Sequence, residues 1–430
     1  MLFRSEEARK LITDWRPDDH VGYAFDVNLH IPPELHDEWD LAPFARLDSD
    51  PTVLSKKQQE TFKILKPTLG SRLVPFLGQQ RIGLPVSVLQ VLQMRGAVFE
   101  VVRAWQFAMS DVYKSGIERL YQARLDATTE VEKDTIKLVL NSRYGKMLEN
   151  KGRRKNSAIY IDYDLWAQAA RKPGSDFSWL NEKPFLGIAQ RPRNRPNILD
   201  TPRYQGWWIL GTSKALMYRA HYQIKMYYQL KGRRIRVLYM DTDSFLYEIE
   251  TTTLEEDLED MMANGGPGFN AKLLGHFKDE AAALCAKLSK KYGRKVTGRF
   301  VAYIGLAPKL YSLVFLTDCG ETVQIVKAKG IPGFVLKKGE GFEGYKRQLE
   351  NPEDNVVTYH RIMKHRQSTY LAETTRRGVC AVDTKTFRLE DNKHFHWVTG
   401  ASSMSAEPSE LFAHRKKRRR SKCQPDAQKP

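Results

Sequence analysis

Two carboxylates, Asp241 and Asp243, stand one residue apart in the stretch VLYMDTDSFLYEIE, residues 237–250. In an extended strand, residues i and i+2 face the same way, so both acids can reach one metal-binding face. At a hairpin turn the geometry is less regular, and one acid instead supports the turn. Ile235, Val237 and Tyr239 before the pair, and Phe245, Tyr247 and Ile249 after it, have the β-branched and aromatic content of buried strands that hold a turn rigidly. Other readings remain open on these residues. Asp is a favoured turn residue, so a bare Asp-x-Asp is often only a turn. A sugar-nucleotide transferase uses the same spacing to hold a divalent ion on a diphosphate. A Tyr-x-Asp-Asp turn of the reverse transcriptase kind is less apt, because Thr242 separates the acids.

Two further stretches carry residues of chemical interest. In EVEKDTIKLVLNSRYGKML, residues 130–148, Lys137, Asn141 and Tyr144 recur at i, i+4 and i+7 and share one helix face. Thr129 with Glu132 makes a capping box that opens this helix. The plainer alternative is an amphipathic helix with a polar Lys-Asn edge. Arg124, near the end of the preceding helix, faces back toward Lys137 in a hairpin or is simply solvated. In PKLY, residues 308–311, Lys309 and Tyr311 are expected on one strand face. Lys327 and Lys329 have the same period on the next strand, where lysines also serve as edge protection.

The elements around these residues read as follows. Residues 21–31 alternate as a strand, broken by the prolines that follow. From about residue 96 the pattern is read as helical. SDVYKSGIERLYQARLDA places Val112, Ile117, Leu120 and Tyr121 at helical spacing, and the short linker before Glu130 makes an antiparallel helix pair. Residues 151–206, rich in Lys, Arg, Pro and Asn, read as an irregular surface excursion. Residues 206–230 return to a helical apolar period, 231–250 read as strand, tight turn and strand, and 251–266 as an acidic helix ended by glycines. After residue 297 come two β-rich runs separated by the Cys319-Gly320 turn, and residues 338–400 mix helix with short strands.

Composition sets the outer bounds. The 430 residues suffice for two or three domains. With 69 Lys plus Arg against 51 Asp plus Glu, the formal charge is +18, which attracts a polyanion such as nucleic acid, although a solvated basic surface gives the same number. Cys285, Cys319, Cys380 and Cys423 lack the paired spacing of a zinc site and suit a reducing compartment. No apolar run approaches a membrane span and the N-terminus has no secretion signal, so a soluble intracellular protein is expected, with no membrane partner. The basic run HRKKRRRSKC, His414–Cys423, reads either as a nuclear-import signal or as an arm that grips phosphate.

Taken together, the motifs resemble those of family B DNA polymerases. YMDTDS, Tyr239–Ser244, resembles that family's second carboxylate motif, Tyr-x-Asp-Thr-Asp-Ser. KLVLNSRYG, Lys137–Gly145, resembles its fingers motif, and PKLY resembles the Lys-x-Tyr motif that holds the primer strand. The three occur in the family's order. GTSKALMY at 211–218, LGHFKDE at 274–280 and VKAKG at 326–330 are similar to the protein-primed, virus- and transposon-type branch, and the likeness covers residues 20–400.

The resemblance implies an α+β, right-hand polymerase fold with an antiparallel palm sheet, a helical fingers hairpin and a mixed thumb. Its expected parts are a palm-associated segment over 1–95, fingers over 96–150, palm with a surface insertion over 151–300, primer-contact strands and thumb over 301–400, and a basic tail over 401–430. It further implies DNA-directed DNA synthesis with two Mg²⁺ ions, or Mn²⁺ in their place. Asp243 is then the direct ligand and Asp241 nearer a supporting one. Lys137, Asn141, Tyr144, Gly145 and Arg124 would bind the nucleotide. Lys137 suits a triphosphate and Tyr144 a base pair, while Gly145 allows close backbone approach. Lys309, Tyr311, Thr242 and Ser244 would contact primer or DNA. The implied partners are a template-primer, deoxynucleoside triphosphates and a terminal protein as primer.

One motif departs from the pattern. The family's first carboxylate motif, Asp-x-x-Ser-Leu-Tyr-Pro, is not found; DVNLHIP, Asp26–Pro32, shares only Asp and Pro at its ends with an Asn between. The surrounding GYAFDVNLHIPPELHDEWDLAP fits better as the segment that follows that motif, with Asp26 an ordinary strand residue and the chain a C-terminal part of a longer polymerase. No exonuclease domain is recognised. The rival expectation is a catalytically inactive, nucleic-acid-binding remnant; an Asp-x-Asp glycosyltransferase leaves the fingers and primer motifs unexplained.

Overall fold

The computed structural model describes residues 5–41, 43–48, 63, 71–75, 77–192, 200–270, 273–365, 368–381, 386–388 and 394–396. The basic run at His414–Cys423 and the tail from 401 lie outside them. The chain divides into two compact units, 1–110 with 211–267 and 382–430, and 111–210 with 268–381. Both mix helices with small antiparallel sheets, so the α+β class holds.

The first unit is built on α1 (Ser5–Asp14), β1 (Val21–His30), β2 (Phe44–Asp48), β3 (Ser71–Pro75), β4 (Gln80–Pro85), α2 (Val86–Met94) and β5 (Val98–Ala108). β1 is the central strand, antiparallel to β4 and β5, with a register shift at Asp26/Val27. Its inward residues Phe25, Val27 and Leu29 pack in a core with Ile12, Leu89 and Leu92. The strand over 98–108 replaces the helical reading of that stretch. VFEVVRAWQFA is β-branched and aromatic, and pairing with β1 satisfies a backbone that a lone short helix would leave marginal.

Helix α6 (Arg203–Leu230), numbered after the helices of the second unit, belongs to the first unit from Gly211 onward. There its inward side carries Ala215, Met217, Tyr218, Ala220, His221, Tyr222, Ile224 and Tyr228, while Thr212, Leu216, Arg219 and Met226 form an exposed stripe, so a broad face is buried and a narrow one is left to solvent. Gly211 lets it approach closely, since a Cβ there would lie 2.3 Å from Pro85 Cγ. β9 (Ile235–Met240), β10 (Phe245–Ile249) and α7 (Leu254–Ala263) complete the described core of this unit. The β9–β10 hairpin is a sheet of its own, so among the described residues the carboxylate hairpin and β1 do not share one palm sheet.

In the second unit, α3 (Lys114–Asp126) and α4 (Glu130–Met147) pack on each other across a three-residue connection. Thr129 and Glu132 form the expected capping box. Residues 155–192, expected to be irregular, are β6 (Lys155–Tyr160), α5 (Tyr163–Ala170), β7 (Asp176–Asn181) and β8 (Leu186–Pro192), in the sheet order β6-β8-β7. The order comes from one tryptophan. Buried Trp166 lies over β8, its Nε1–H donating to the Ile188 carbonyl at 3.1 Å, and is ringed by Tyr163, Phe177, Trp179 and Phe185 at 5.5–5.9 Å where they meet it. Gly187 makes room for it, since a Cβ there would lie 2.4 Å from the indole.

The remainder comprises α8 (Glu280–Tyr292), β11 (Gly298–Ala307), β12 (Leu310–Thr317), β13 (Thr322–Ala328), α9 (Gly333–Leu336), α10 (Gly341–Glu350), β14 (Val356–His365) and β15 (Ser368–Arg377). β12 is central in the β11-β12-β13 sheet, and Phe315 packs against Leu288 of α8 and Val296. On α10, Tyr345 is buried and its hydroxyl donates to the Lys327 carbonyl at 2.9 Å. β14 and β15 form a ten-residue ribbon. β7 joins it through the Asn181 side chain, whose amide donates to the Leu371 carbonyl and whose oxygen accepts from the Glu373 N–H, both at 2.7 Å.

Candidate functional site

The acidic pair sits at the tip of the β9–β10 hairpin. Met240 pairs with Phe245, leaving Asp241, Thr242, Asp243 and Ser244 as the connection. The Asp241 N–H donates to the Ser244 carbonyl at 3.0 Å, and the Asp243 N–H donates to the Asp241 carbonyl at 2.6 Å. That second bond closes a three-residue turn centred on Thr242, whose φ is +58°. A β-branched residue rarely takes this conformation, so the turn stores strain that the flanking strands must hold. The Ser244 hydroxyl donates to the Asp241 carbonyl at 3.3 Å and Thr242 Oγ1 lies 3.5 Å from Asp241 Oδ1. Asp243 is exposed and Asp241 half-buried.

The hairpin is held at two levels. At its base, Arg233 pairs with both oxygens of buried Asp257 at 2.8 Å, and Thr251 Oγ1 donates to the same carboxylate at 2.5 Å. Arg236 and Glu248 pair across the strands at 2.8 Å. Higher up, Tyr247 and Phe245 pack on His221 of α6. His221 Nδ1 lies 2.9 Å from the Tyr247 hydroxyl, and Nε2 lies 2.8 Å from Asp40 Oδ2. Burial raises the Asp40 carboxyl, but hydrogen bonds from His221 and Lys225 outweigh it and leave it below its ordinary range. Burial, with the Asp40 charge behind it, pushes the Tyr247 hydroxyl far above its ordinary range, so it stays protonated. Asp40 can therefore only accept; Nε2 carries a proton and donates to it, and in a neutral ring Nδ1 accepts from Tyr247. Sequence reasoning missed this chain of groups. A lone His in an aromatic helix offers no local mark of its partners.

The second group lies on α4. Lys137, Asn141, Tyr144 and Gly145 are all exposed, as one face predicts. The seam toward α3 is a different stripe, in which Ile136, Leu140 and Arg143 are half-buried and Met147 buried. Arg143 stacks over Tyr113 at 4.4 Å. Exposed Leu138 lies beside Lys137 on the outer side, which makes this surface more apolar than a plain solvated edge. Arg124 is half-buried on the α3 side of the seam.

The third group is at the β11–β12 turn. Lys309 does not lie on the strand; it occupies the turn with φ +63°, and β12 begins at Leu310. Pro308 before it supplies the preset backbone of a turn whose next residue has positive φ, and this displaces Lys309 from the face it was expected to share with Tyr311. Lys309 is exposed and Tyr311 half-buried. Tyr311 opposes Gly305 on one side and exposed Lys327 on the other, with its ring 6.1 Å from that of Tyr303. Lys329 lies just past β13, and its N–H donates to the Lys309 carbonyl at 3.1 Å.

The acidic turn thus belongs to the first unit and the two basic-aromatic groups to the second. Asp26 is engaged elsewhere: Arg81 donates to it from Nε and Nη2 at 3.1 and 2.6 Å, and this hydrogen bonding lowers its pKa. Among the described residues, no three His, Cys, Asp or Glu side chains gather as a metal-binding group. No helix among them is long and apolar enough to cross a membrane. No family model, no curated protein and no solved structure matches the chain.

Proposed function

We propose that the chain carries the fingers, palm hairpin and primer-contact elements of a family B-type DNA polymerase and that its chemistry is template-directed nucleotidyl transfer. The observation that carries this reading is the Asp241–Asp243 turn: two carboxylates on a connection strained at Thr242, borne by a hairpin anchored at Asp257 and His221. An incidental turn has no need of positive φ at a β-branched residue. Mg²⁺ takes one or two protein carboxylates and completes its shell with water and phosphate oxygens. The turn fits that kind of site rather than an all-protein cage.

Asp243 would hold the ion directly and Asp241 would support it, with Mn²⁺ able to replace Mg²⁺. When bound, such ions make a primer 3′-hydroxyl a better nucleophile and neutralise charge on the departing pyrophosphate. The chain's own side chains supply the rest. Lys137 would meet the triphosphate as a point charge, with Arg124 as a second cation; Tyr144 and Gly145 would lie against the nascent pair and Asn141 beside them. Lys309 and Tyr311 would contact the primer backbone, as would Thr242 and Ser244, contacts that carry no sequence information. The substrates are a DNA template-primer and deoxynucleoside triphosphates, and the branch resembled adds a terminal protein as primer. A nuclear location rests on the C-terminal basic run alone.

Primer extension with Mg²⁺ or Mn²⁺ and all four nucleotides tests the reading. Incorporation by the native chain should be lost in Asp243→Asn, and equal incorporation by both would sink the assignment. One observation favours a second reading, a nucleic-acid-binding remnant without catalysis: the Arg81 pair occupies Asp26, so it offers no free second carboxylate arm. That reading expects DNA binding that weakens steeply with salt and no extension under any metal.

A further inference from the structure

One residue that ties the acidic hairpin to the body of its unit is not part of any motif. His221 is 1 % exposed. Its ring lies parallel to that of Tyr247, with 4° between planes and 5.8 Å between centroids, and 5.5 Å from that of Phe245, the first residue after the carboxylate connection. On the opposite side it donates to Asp40, in the segment that follows the short 3-10 turn Pro33–Glu38. Lys225, one helical turn further along α6, holds the same carboxylate at 2.7 Å and the Glu38 carbonyl at 3.3 Å. Beside them Arg95 stacks over Tyr222 at 4.3 Å and pairs with Glu38 at 3.6 Å, and Trp39 meets Tyr222 edge-on. The helix thus grips residues 38–40 with several side chains, and the His221 imidazole passes that grip to β10.

We infer that His221 is a positioning residue for the Asp241–Asp243 turn: with both ring nitrogens engaged, it ties β10 to α6 and, through Asp40, to the 38–40 segment, and so sets where the carboxylate pair is presented. The purpose assigned to this, holding a divalent ion, rests on the reading proposed above. Bulk alone does not account for the residue. A phenyl ring would fill the same space but would take away the buried partner of the Tyr247 hydroxyl, where an unpaired polar group is costly, and would leave Asp40 to Lys225 with no link to β10. Supporting groups of this kind usually govern how well a metal-bearing carboxylate is presented.

The test uses the full chain with His221→Phe, which keeps the ring shape and removes both nitrogens, and Tyr247→Phe, which removes only the hairpin-side hydroxyl. Hydrogen exchange is followed in peptides covering 235–249, and Mn²⁺ binding is followed by water-proton relaxation. Hairpin amides should exchange about ten-fold faster in both variants while β1 exchanges at its native rate. The Mn²⁺ dissociation constant should rise about ten-fold in both. Native hairpin exchange in the variants, or acceleration spread equally over β1, overturns the inference. So does faster hairpin exchange with native Mn²⁺ affinity, provided Asp243→Asn abolishes binding. If Asp243→Asn binds Mn²⁺ as the native chain does, the metal reading itself fails, and exchange alone decides whether His221 holds the turn. Should His221→Phe not fold, Tyr247→Phe carries the same outcomes.

Discussion

Thr242 and Lys309 both hold positive φ at a hairpin tip, and each is a position where glycine would rest more easily. An L-residue in this region costs roughly 1–2 kcal/mol, so Thr242→Gly should raise stability by about 1 kcal/mol after the added chain entropy is counted. The same change should weaken Mn²⁺ binding, because the connection between the two acids loses its stiffness. Urea denaturation and Mn²⁺ relaxation read the two effects, and an unchanged Mn²⁺ affinity would separate the strain from the chemistry. Asp40 bears on pH. Its carboxyl is held below its ordinary value of 3.8, so its stabilising contribution is complete above that value and is lost as pH falls through the lower, folded-state value. Asp40→Asn should therefore be less stable than the native chain at neutral pH, with the gap closing in urea titrations taken below about pH 4.

At the scale of elements, the small βαββ layer over 155–192 depends on the fit of Trp166 against Gly187. Gly187→Ala forces the buried indole off the strand and breaks its bond to Ile188, at a cost of about 2–3 kcal/mol. Faster hydrogen exchange confined to 155–192 is the expected signature. This layer was not legible in the sequence, whereas the β9–β10 hairpin and the capped α4 were, and the contrast has a physical cause. Thr129 with Glu132, and the alternating strands around Asp241, declare themselves through neighbours a few residues away. The order in 155–192 arises when Trp166 meets Gly187 and Phe177, contacts invisible at short range among prolines and arginines. The strand at 98–108 was misread for the same reason, since only its pairing with β1 distinguishes it from a helical run. In the site, the residues of Asp241–Ser244 and the α4 face were legible as types and spacing. The shift of Lys309 into a turn required Pro308 to be weighed as a turn former, and the His221 bridge joins residues up to 181 positions apart.

For the whole molecule, the charge of +18 sets the range and salt dependence of association with a polyanion. Binding to a primer-template should fall with a log-log salt slope of magnitude about 5 or more, if six or so phosphates are neutralised. Asp243→Asn should leave that slope unchanged, since an acidic hairpin tip releases no counterions from DNA. Fluorescence anisotropy across a salt series measures both, and a shallow slope would assign the basic excess to solubility alone. The Asn181 side chain has a bearing on how copies of the protein meet. By occupying a carbonyl and an N–H on the outer edge of β15, it leaves an incoming strand without a continuous ladder to extend. Ile362 and Leu371 lie exposed on the same ribbon, so an opened edge would be both sticky and able to template. Asn181→Ala should make light scattering grow faster with time and concentration than in the native chain, with little loss of fold, as expected if this one amide side chain is a stopper against fibrillar growth.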